Sequence, residues 1–293
     1  MNNRFEHYFK DLKAVGVDKL ASKLSCGQKV QRVHIDGASY YVKRVANKQM
    51  IPAIASSRMY QEIGILTPPM YMLKSKEKGY TKTIEQEVKS IDGLLCELAN
   101  SNVEFTKIET RAFGKDKWAL FYDEDLVYTL CKYMYPECIE GLKDLFLCDE
   151  LRTDVDRHSK NYFMYKFEGD KKYRGVVAID LEQMVVFKYC GASKKDFESF
   201  IYYPYQSATP QQVSDELCYL QRVRNIRELI EEGVLSGQNI NALKKELSYD
   251  LPKEIKKVAS ERGLHGIEKR CLVSPIERLW EYNQKTIGKD LGL

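Results

Sequence analysis

Several features that would place the chain in a class at once are scarce or missing. Its eight cysteines include no Cys-x-x-Cys pair, which argues against a zinc site and a disulfide framework, so we expect buried thiols in a reducing compartment. No run of eighteen apolar residues occurs, and the start, MNNRFEHYFK, lacks the apolar stretch of a secretory signal. We therefore expect no transmembrane segment and synthesis in the cytosol. Secretion into a host cell, if it occurs, would not use a cleavable signal peptide.

An excess of charge of one sign is also missing. The 46 basic and 42 acidic side chains leave a net charge of only +4, too balanced for an obligate nucleic-acid binder, and we expect no nucleic-acid partner. Mild basicity is compatible with a ligand that carries phosphate. With 44% hydrophobic and 30% charged residues, 17 glycines and 8 prolines, the composition is that of an ordinary globular chain and excludes disorder and collagen.

The first ninety residues predict strand, strand, helix, strand, strand. Alternating apolar residues predict a hairpin that starts near Val30, turns at Asp36-Gly37 and ends at Lys43. Residues 48–63 predict a helix, which Gly64 closes as a C-terminal cap. Two more strands are predicted over residues 70–73 and 80–88. The pattern becomes helical after Asp92, so we expect one domain over residues 1–92 and a second, mostly helical one over residues 93–293.

Later segments predict a helix, a hairpin and a helical tail. The run from Glu140 to Arg152 has the apolar spacing of a helix. Residues 161–167 and 173–179 are β-prone and joined by a polar turn. Three helix starts are predicted after residue 200, at Thr209-Pro210, at Asp250 before Pro252, and at Ser274-Pro275 with Glu277 at the capping-box distance.

The densest polar cluster lies between that helix and that hairpin, in the run Asp154 to Asn161. A hairpin brings its two ends together, so Asn161 at one end and Asp180 at the other are expected to meet. Glu182 follows two residues later. Carboxylate and amide oxygens suit Mg²⁺ or Mn²⁺ rather than zinc. Asp156 precedes Asn161 by five residues, the spacing at which protein kinases place a catalytic aspartate and a metal-binding asparagine.

These residues carry a resemblance to a family. The string Asp156-Arg157-His158-Ser159-Lys160-Asn161, followed by Ala178-Ile179-Asp180, resembles the DRHxxN and IDFG loops of phosphatidylinositol 3- and 4-kinases and of HipA-like bacterial kinases. Residues 141–165 are especially similar to small HipA-related and secreted effector kinases. The resemblance covers about a third of the chain. It implies an α+β, bilobal protein kinase-like fold with a small β-rich N-lobe and a larger, mostly helical C-lobe.

The resemblance also implies roles for individual residues. Asp156 would orient or deprotonate the attacking hydroxyl, and His158 would stabilise charge on the γ-phosphate of ATP. Asn161 and Asp180 would hold Mg²⁺ or Mn²⁺, and Lys43 would bind the α- and β-phosphates. Ser25 and Gly27, at the first tight turn, would lay backbone amides over the phosphates. The adenine would rest against the link between lobes near residues 85–91, with Glu85 and Val88 as its contacts.

The chain departs from the family pattern at two places. Leu181 and Glu182 follow Asp180 where the family has phenylalanine and glycine, and Glu182 is either a further metal ligand or a solvated turn residue. The helix over residues 48–63 has no glutamate at its middle to pair with Lys43; its only acidic residue is Glu62, at the end. Gln49 would substitute for that glutamate, another region would supply a carboxylate, or the ion pair is absent.

We expect a protein as substrate, because 293 residues leave no room for the membrane domains of large lipid kinases. The alternatives are a lipid kinase, a kinase-fold enzyme that transfers AMP, and a non-catalytic pseudokinase. The clustered basic residues of the helical tail are solvated helix faces or a site for a polyanionic activator, such as an inositol polyphosphate or a phosphoinositide.

Overall fold

The computed structural model describes residues 30–35, 38–68, 70–73, 78–86, 103–106, 136–154, 161–167, 170–173, 175–182, 184, 226–233 and 235–293. These form two compact units. One contains the described residues within Met1–Leu142 and His158–Leu181, and the other contains those within Lys143–Arg157 and Glu182–Leu293. The predicted domain boundary at residue 92 lies outside the described residues.

The first unit contains a four-stranded antiparallel sheet in the order β1-β2-β4-β3. Its strands are β1 (Val30–Ile35), β2 (Ala38–Ala46), β3 (Met70–Leu73) and β4 (Tyr80–Gln86). Strands β1 and β2 pair as the predicted hairpin, and β2 runs three residues beyond Lys43. The predicted order of strand, strand, helix, strand, strand is confirmed for these elements.

Helix α1 (Asn47–Ile63) connects β2 to β3. Almost every side chain from Met50 to Tyr60 is buried, which explains why its apolar residues are not confined to one stripe. Gly64 ends the helix in the left-handed region, with φ at 99°, and its N–H donates to the carbonyl of Tyr60 (3.0 Å). That is the predicted C-terminal cap, at a position where a residue with a Cβ would be strained.

A second sheet in the same unit has the order β5-β6-β7, with β5 (Val103–Thr106), β6 (Tyr162–Phe167) and β7 (Gly175–Ala178). The hairpin β6-β7 was predicted, whereas β5 falls where helix was expected. Leu66, just after α1, forms a parallel bridge with Val177, and the Ala178 N–H donates to the Leu66 carbonyl (2.8 Å). This connection holds the end of β7 beside the segment that leaves α1.

Helix α2 (Ile139–Arg152) was predicted almost to the residue, and the boundary between the two units falls within it. The second unit continues with a helical segment at 226–231 and with α3 (Gly237–Ser248), α4 (Leu251–Glu261) and α5 (Gly266–Asn283). Residues Gln284–Gly288 complete the tail as a π-helical turn. Helices α4 and α5 pack through apolar side chains that are almost fully buried, namely Ile255, Val258, Ala259, Leu272, Ile276 and Leu279.

Two of the predicted helix starts fall on described residues. Asp250 caps α4, since its carboxylate accepts from the Lys253 N–H (2.9 Å), as predicted. The start predicted at Ser274-Pro275 is wrong, because both residues lie inside α5. Proline leaves the carbonyl four residues earlier without its helical partner, but that residue, Cys271, is exposed, so water can replace the bond.

Other expectations are partly met. Cys138 and Cys148 are buried free thiols, as predicted, but Cys271 is an exposed one. None of the helices in the described ranges combines the length and apolarity needed to cross a bilayer. The described fold is α+β, with small antiparallel sheets and a mostly helical remainder.

Candidate active site

Lys43 is the buried centre of the site. It lies in β2, only 5% exposed, directly opposite Thr83 of β4. A buried ammonium group is costly unless it is paired. Here Lys43 Nζ contacts two carboxylates, since it donates a hydrogen bond to Asp180 Oδ1 and lies 3.1 Å from Glu85 Oε2. The sequence predicted Lys43 as a phosphate-binding residue but did not identify these partners.

Asp180 lies two residues beyond the end of β7 and reaches Lys43 across 137 positions of sequence. Its φ is 54°, a left-handed conformation that few residues other than glycine adopt and that aspartate tolerates better than most. Strained backbone of this kind often occurs at functional sites. Its side chain is 39% exposed, so a ligand can reach the carboxylate while Lys43 holds it.

Asn161 lies at the same end of the hairpin as Asp180, as predicted. Tyr162 pairs with Ala178, and the Asn161 carbonyl accepts a hydrogen bond from the Ile179 N–H (3.0 Å). The ladder therefore continues to the residue next to Asp180. Asn161 is 3% exposed. The hairpin thus brings Asn161 and Asp180 to one edge, and the Asp180 carboxylate there contacts the Lys43 ammonium.

Glu85 lies within β4, where its carboxylate faces Lys43 and is 4% exposed. The helix α1 lacks an acidic residue before Glu62, which is exposed. Of the alternatives left open by the sequence, a carboxylate from another region is the one observed. The register could have revealed it, because residue 85 is two positions from the residue that opposes Lys43 in an antiparallel pair.

Several predicted site residues lie outside the described residues: Ser25, Gly27, Val88, Asp156 and His158. Glu182 is described and half-buried, with its Oε2 atom shielded from solvent, and it belongs to the second unit. Its predicted role as a metal ligand stays a prediction.

The segment that leads into residues 155–160 is anchored by a buried charge cluster in the second unit. Arg152, at the end of α2, is fully buried and binds the Asp154 carboxylate, with Asp149 at 3.7 Å. Thr153 between them has a φ of 63°, and the Asp154 N–H donates to the Asp149 carbonyl (2.9 Å). Helix α2 therefore ends in a left-handed turn that carries a β-branched residue, which is a strained arrangement.

In the same unit, the buried carboxyl of Glu246 and the buried thiol of Cys148 have shifted pKa values. Burial raises the pKa of the Glu246 carboxyl well above its ordinary value of 4.5, and the positive charge of Arg152 opposes that shift only in part. Burial, together with the Glu246 carboxyl, also raises the pKa of the Cys148 thiol. Folding therefore favours the protonated form of both groups.

The donor set at the hairpin end fits a hard divalent cation. The Asn161 amide oxygen and the Asp180 carboxylate are oxygen donors, and Mg²⁺ commonly takes one or two carboxylates and completes its shell with phosphate oxygens and water. Within the described ranges, no cluster of three or more His, Cys, Asp or Glu residues could hold a metal by itself.

No protein-family model matches the sequence, and no curated protein matches it either. Among solved structures, the chain is similar to the proinflammatory kinase CtkA of Helicobacter pylori, with a TM-score of 0.52 and 13% identity over 90% of this chain and 93% of that one.

Two further structures match less well. One is HipA of Shewanella oneidensis MR-1, with HipB and operator DNA, at a TM-score of 0.46 and 10% identity over 92% of this chain and 67% of that one. The other is WaaP in complex with acyl carrier protein, at a TM-score of 0.30 and 13% identity over 91% and 92% of the two chains. The similarity to CtkA extends over nearly the whole of both chains, and it shows that this chain has an atypical protein kinase-like fold.

Proposed function

We propose that the protein is an ATP-dependent phosphotransferase that transfers the γ-phosphate to a protein serine or threonine with the help of Mg²⁺ or Mn²⁺. The observation that carries the proposal is the contact between Lys43 and Asp180 in a chain with a kinase-like fold. A lysine that binds nucleotide phosphates and an aspartate that binds their metal ion must lie side by side, and these two residues do.

Lys43 would leave Asp180 for the α- and β-phosphates of ATP, and Asp180 would then turn its exposed carboxylate to the cation. Asn161 would supply the second oxygen ligand. When bound, the cation would neutralise part of the phosphate charge. Because phosphoryl transfer depends mainly on positioning and on charge stabilisation, these residues meet most of what the reaction asks of the protein.

The attacking hydroxyl would be oriented by Asp156, with His158 close to the γ-phosphate, and Ser25 and Gly27 would cover the phosphates. Val88 would contact the adenine. Glu182 would either add a ligand to the cation or stay in solvent. The chain would work in the cytosol of its producer or, as an effector, in a host cell.

The test is label transfer from ATP. We expect purified protein with Mg²⁺ or Mn²⁺ to transfer label from the γ-position of ATP to itself or to a general protein substrate, and Lys43→Met and Asp180→Ala to lose this transfer. Lys172→Met is the matched control, because Lys172 is exposed at the far end of the hairpin β6-β7. Transfer of label from the α-position alone would instead indicate AMP transfer, and labelling of phosphoinositide vesicles but not of protein would indicate a lipid kinase.

The arguments for a non-catalytic role are weaker once the contacts of Lys43 are known. The lack of a helix glutamate was one argument for it, and Glu85 provides a carboxylate at Lys43 from β4. The altered residues after Asp180 remain the other argument. If the protein neither transfers label nor binds ATP in the presence of Mg²⁺ or Mn²⁺, a non-catalytic binding role would be favoured.

A polyanionic activator, such as an inositol polyphosphate, would bind the basic side chains of α4 and α5. Lys256 lies 2.6 Å from Glu277, and this carboxylate raises the pKa of Lys256. Lys257 lies 3.6 Å from Glu254. If an inositol polyphosphate activates the enzyme through these helices, raising the salt concentration should weaken its effect.

A further inference from the structure

We propose that Glu85 is the positioning residue for Lys43, and that it acts from the sheet where kinase-like enzymes generally use a helix. This inference rests on the proposed function, since it assumes that Lys43 binds ATP phosphates. It replaces the role that the sequence suggested for Glu85, which was contact with the adenine.

The first argument is burial. The side chains of Lys43 and Glu85 are 7% and 5% exposed, whereas that of Asp180 is 39% exposed. Water screens the contact with Asp180 but hardly reaches the contact with Glu85. Of the two contacts, the one with Glu85 is therefore the one that water screens less.

The second argument is the register of the sheet. Lys43 opposes Thr83, so Glu85 projects from the same face, two residues along β4. Diagonal neighbours of this kind are within reach of long side chains. The backbone ladder between β2 and β4 fixes their relative position, and no movement of a helix is needed to bring the pair together.

The third argument is the division of tasks between the carboxylates. When Asp180 turns to a cation, Lys43 loses its contact with that carboxylate. Glu85 is not among the proposed ligands of the cation, so it would stay with Lys43 and keep the ammonium in one place. Helix α1 provides no substitute, because its one acidic residue, Glu62, is exposed in its last turn.

The two possible roles of Glu85 predict different ligand selectivity. A positioning residue for Lys43 affects the phosphate end of the nucleotide and leaves the nucleoside end unaffected. An adenine contact affects every ligand that contains adenine. Comparison of ATP with adenosine therefore separates the roles.

The experiment measures the affinity of the full chain for ATP with Mg²⁺ and for adenosine by isothermal titration calorimetry, and kcat and KM by ATP hydrolysis. For Glu85→Gln we expect about a tenfold or greater loss of affinity for ATP and rise of KM, because a displaced lysine no longer meets the phosphates. We expect no change in adenosine affinity. Glu85→Asp, which keeps the charge, should recover part of the ATP affinity.

Thr83→Val is the matched control, since it alters a buried side chain on the same face and strand. It removes a hydroxyl that has no hydrogen-bond partner among the residues that the structure describes. It should leave both affinities unchanged. Thermal unfolding without ligand shows whether each variant is folded, and if Glu85→Gln fails to fold, Glu85→Asp carries the comparison.

Equal losses for ATP and adenosine would overturn the inference in favour of an adenine contact, and unchanged ATP affinity would overturn it outright. If the wild-type chain binds adenosine but no ATP, or neither, the proposed function itself fails. That result is distinct from a failure of the role of Glu85.

Discussion

The pairing of Lys43 with Glu85 makes a quantitative prediction about the stability of the sheet. Replacing Lys43 with methionine leaves the Glu85 carboxylate buried without its cation, and removal of one partner from a buried ion pair costs about 3–5 kcal/mol. Replacing Glu85 with glutamine costs less, about 1–2 kcal/mol, because Lys43 keeps Asp180.

The double variant Lys43→Met/Glu85→Gln should cost no more than Lys43→Met alone, because no charge is then left buried without a partner. The coupling free energy between the two residues is therefore at least the cost of Glu85→Gln, about 1–2 kcal/mol. A second cycle, Lys43→Met with Asp180→Asn, should give less than about 1 kcal/mol, since Asp180 is partly exposed.

Hydrogen exchange read by mass spectrometry is the suitable assay, because it reports the opening free energy of the strands themselves in a chain with two units. Peptides that cover β2 and β4 give the values, and peptides from α4 and α5 should not change. A coupling below about 0.5 kcal/mol for Lys43 with Glu85, or a larger value for the pair with Asp180, would refute the reasoning.

Three other predictions concern the second unit. Glu246→Gln should stabilise the protein at pH 7, because the raised pKa of Glu246 means that folding favours its protonated form. The free energy of unfolding of the wild type should fall as pH rises above 4.5, by up to about 1.4 kcal/mol per pH unit. Urea unfolding of the variant should therefore show a flatter dependence on pH. A profile with the same slope would contradict the burial of Glu246. Thr153→Gly should raise the free energy of unfolding by about 1 kcal/mol by relieving its left-handed conformation, and Thr153→Ala, which keeps the strain, should show no gain. Asp144→Ala should destabilise α3 by about 1–3 kcal/mol, seen as faster exchange of its amides, because Asp144 accepts hydrogen bonds from Gln238 (2.8 Å) and Asn239 (2.7 Å); unchanged exchange would show that these bonds contribute little.

Local signals predicted the elements that depend on local chemistry. The hairpin β1-β2, helix α1 with its cap at Gly64, and the start of α4 at Asp250 follow from alternation, turn residues and capping, which act over a few positions. Strand β5 was missed because its partner, β6, lies about sixty residues later, and only that pairing makes it a strand. The helix start at Ser274-Pro275 was wrong because packing of α5 against α4 outweighs the loss of one hydrogen bond at proline.

In the candidate site, too, the features that depend on nearby residues were predicted and those that depend on long-range pairing were not. Asn161 and Asp180 were predicted to meet because they flank a hairpin, which is a local argument. Lys43 was predicted from its position on a strand together with the kinase resemblance of the later loop. The contact of Lys43 with Glu85 was not predicted, because it depends on the register of β2 against β4. Helix α1 and strand β3 separate these two strands in the sequence. The burial that makes Glu85 important is likewise a property of the folded sheet.

Binding of ATP in the presence and absence of Mg²⁺ tests the central claim most directly. Calorimetric titration of the wild type, Asp156→Ala and Asp180→Ala compares a residue proposed for the attacking hydroxyl with one proposed for the cation. The account predicts that the wild type and Asp156→Ala bind ATP more tightly with Mg²⁺, and that Asp180→Ala loses this dependence. No binding by the wild type, or the same dependence on Mg²⁺ in Asp180→Ala, would contradict it.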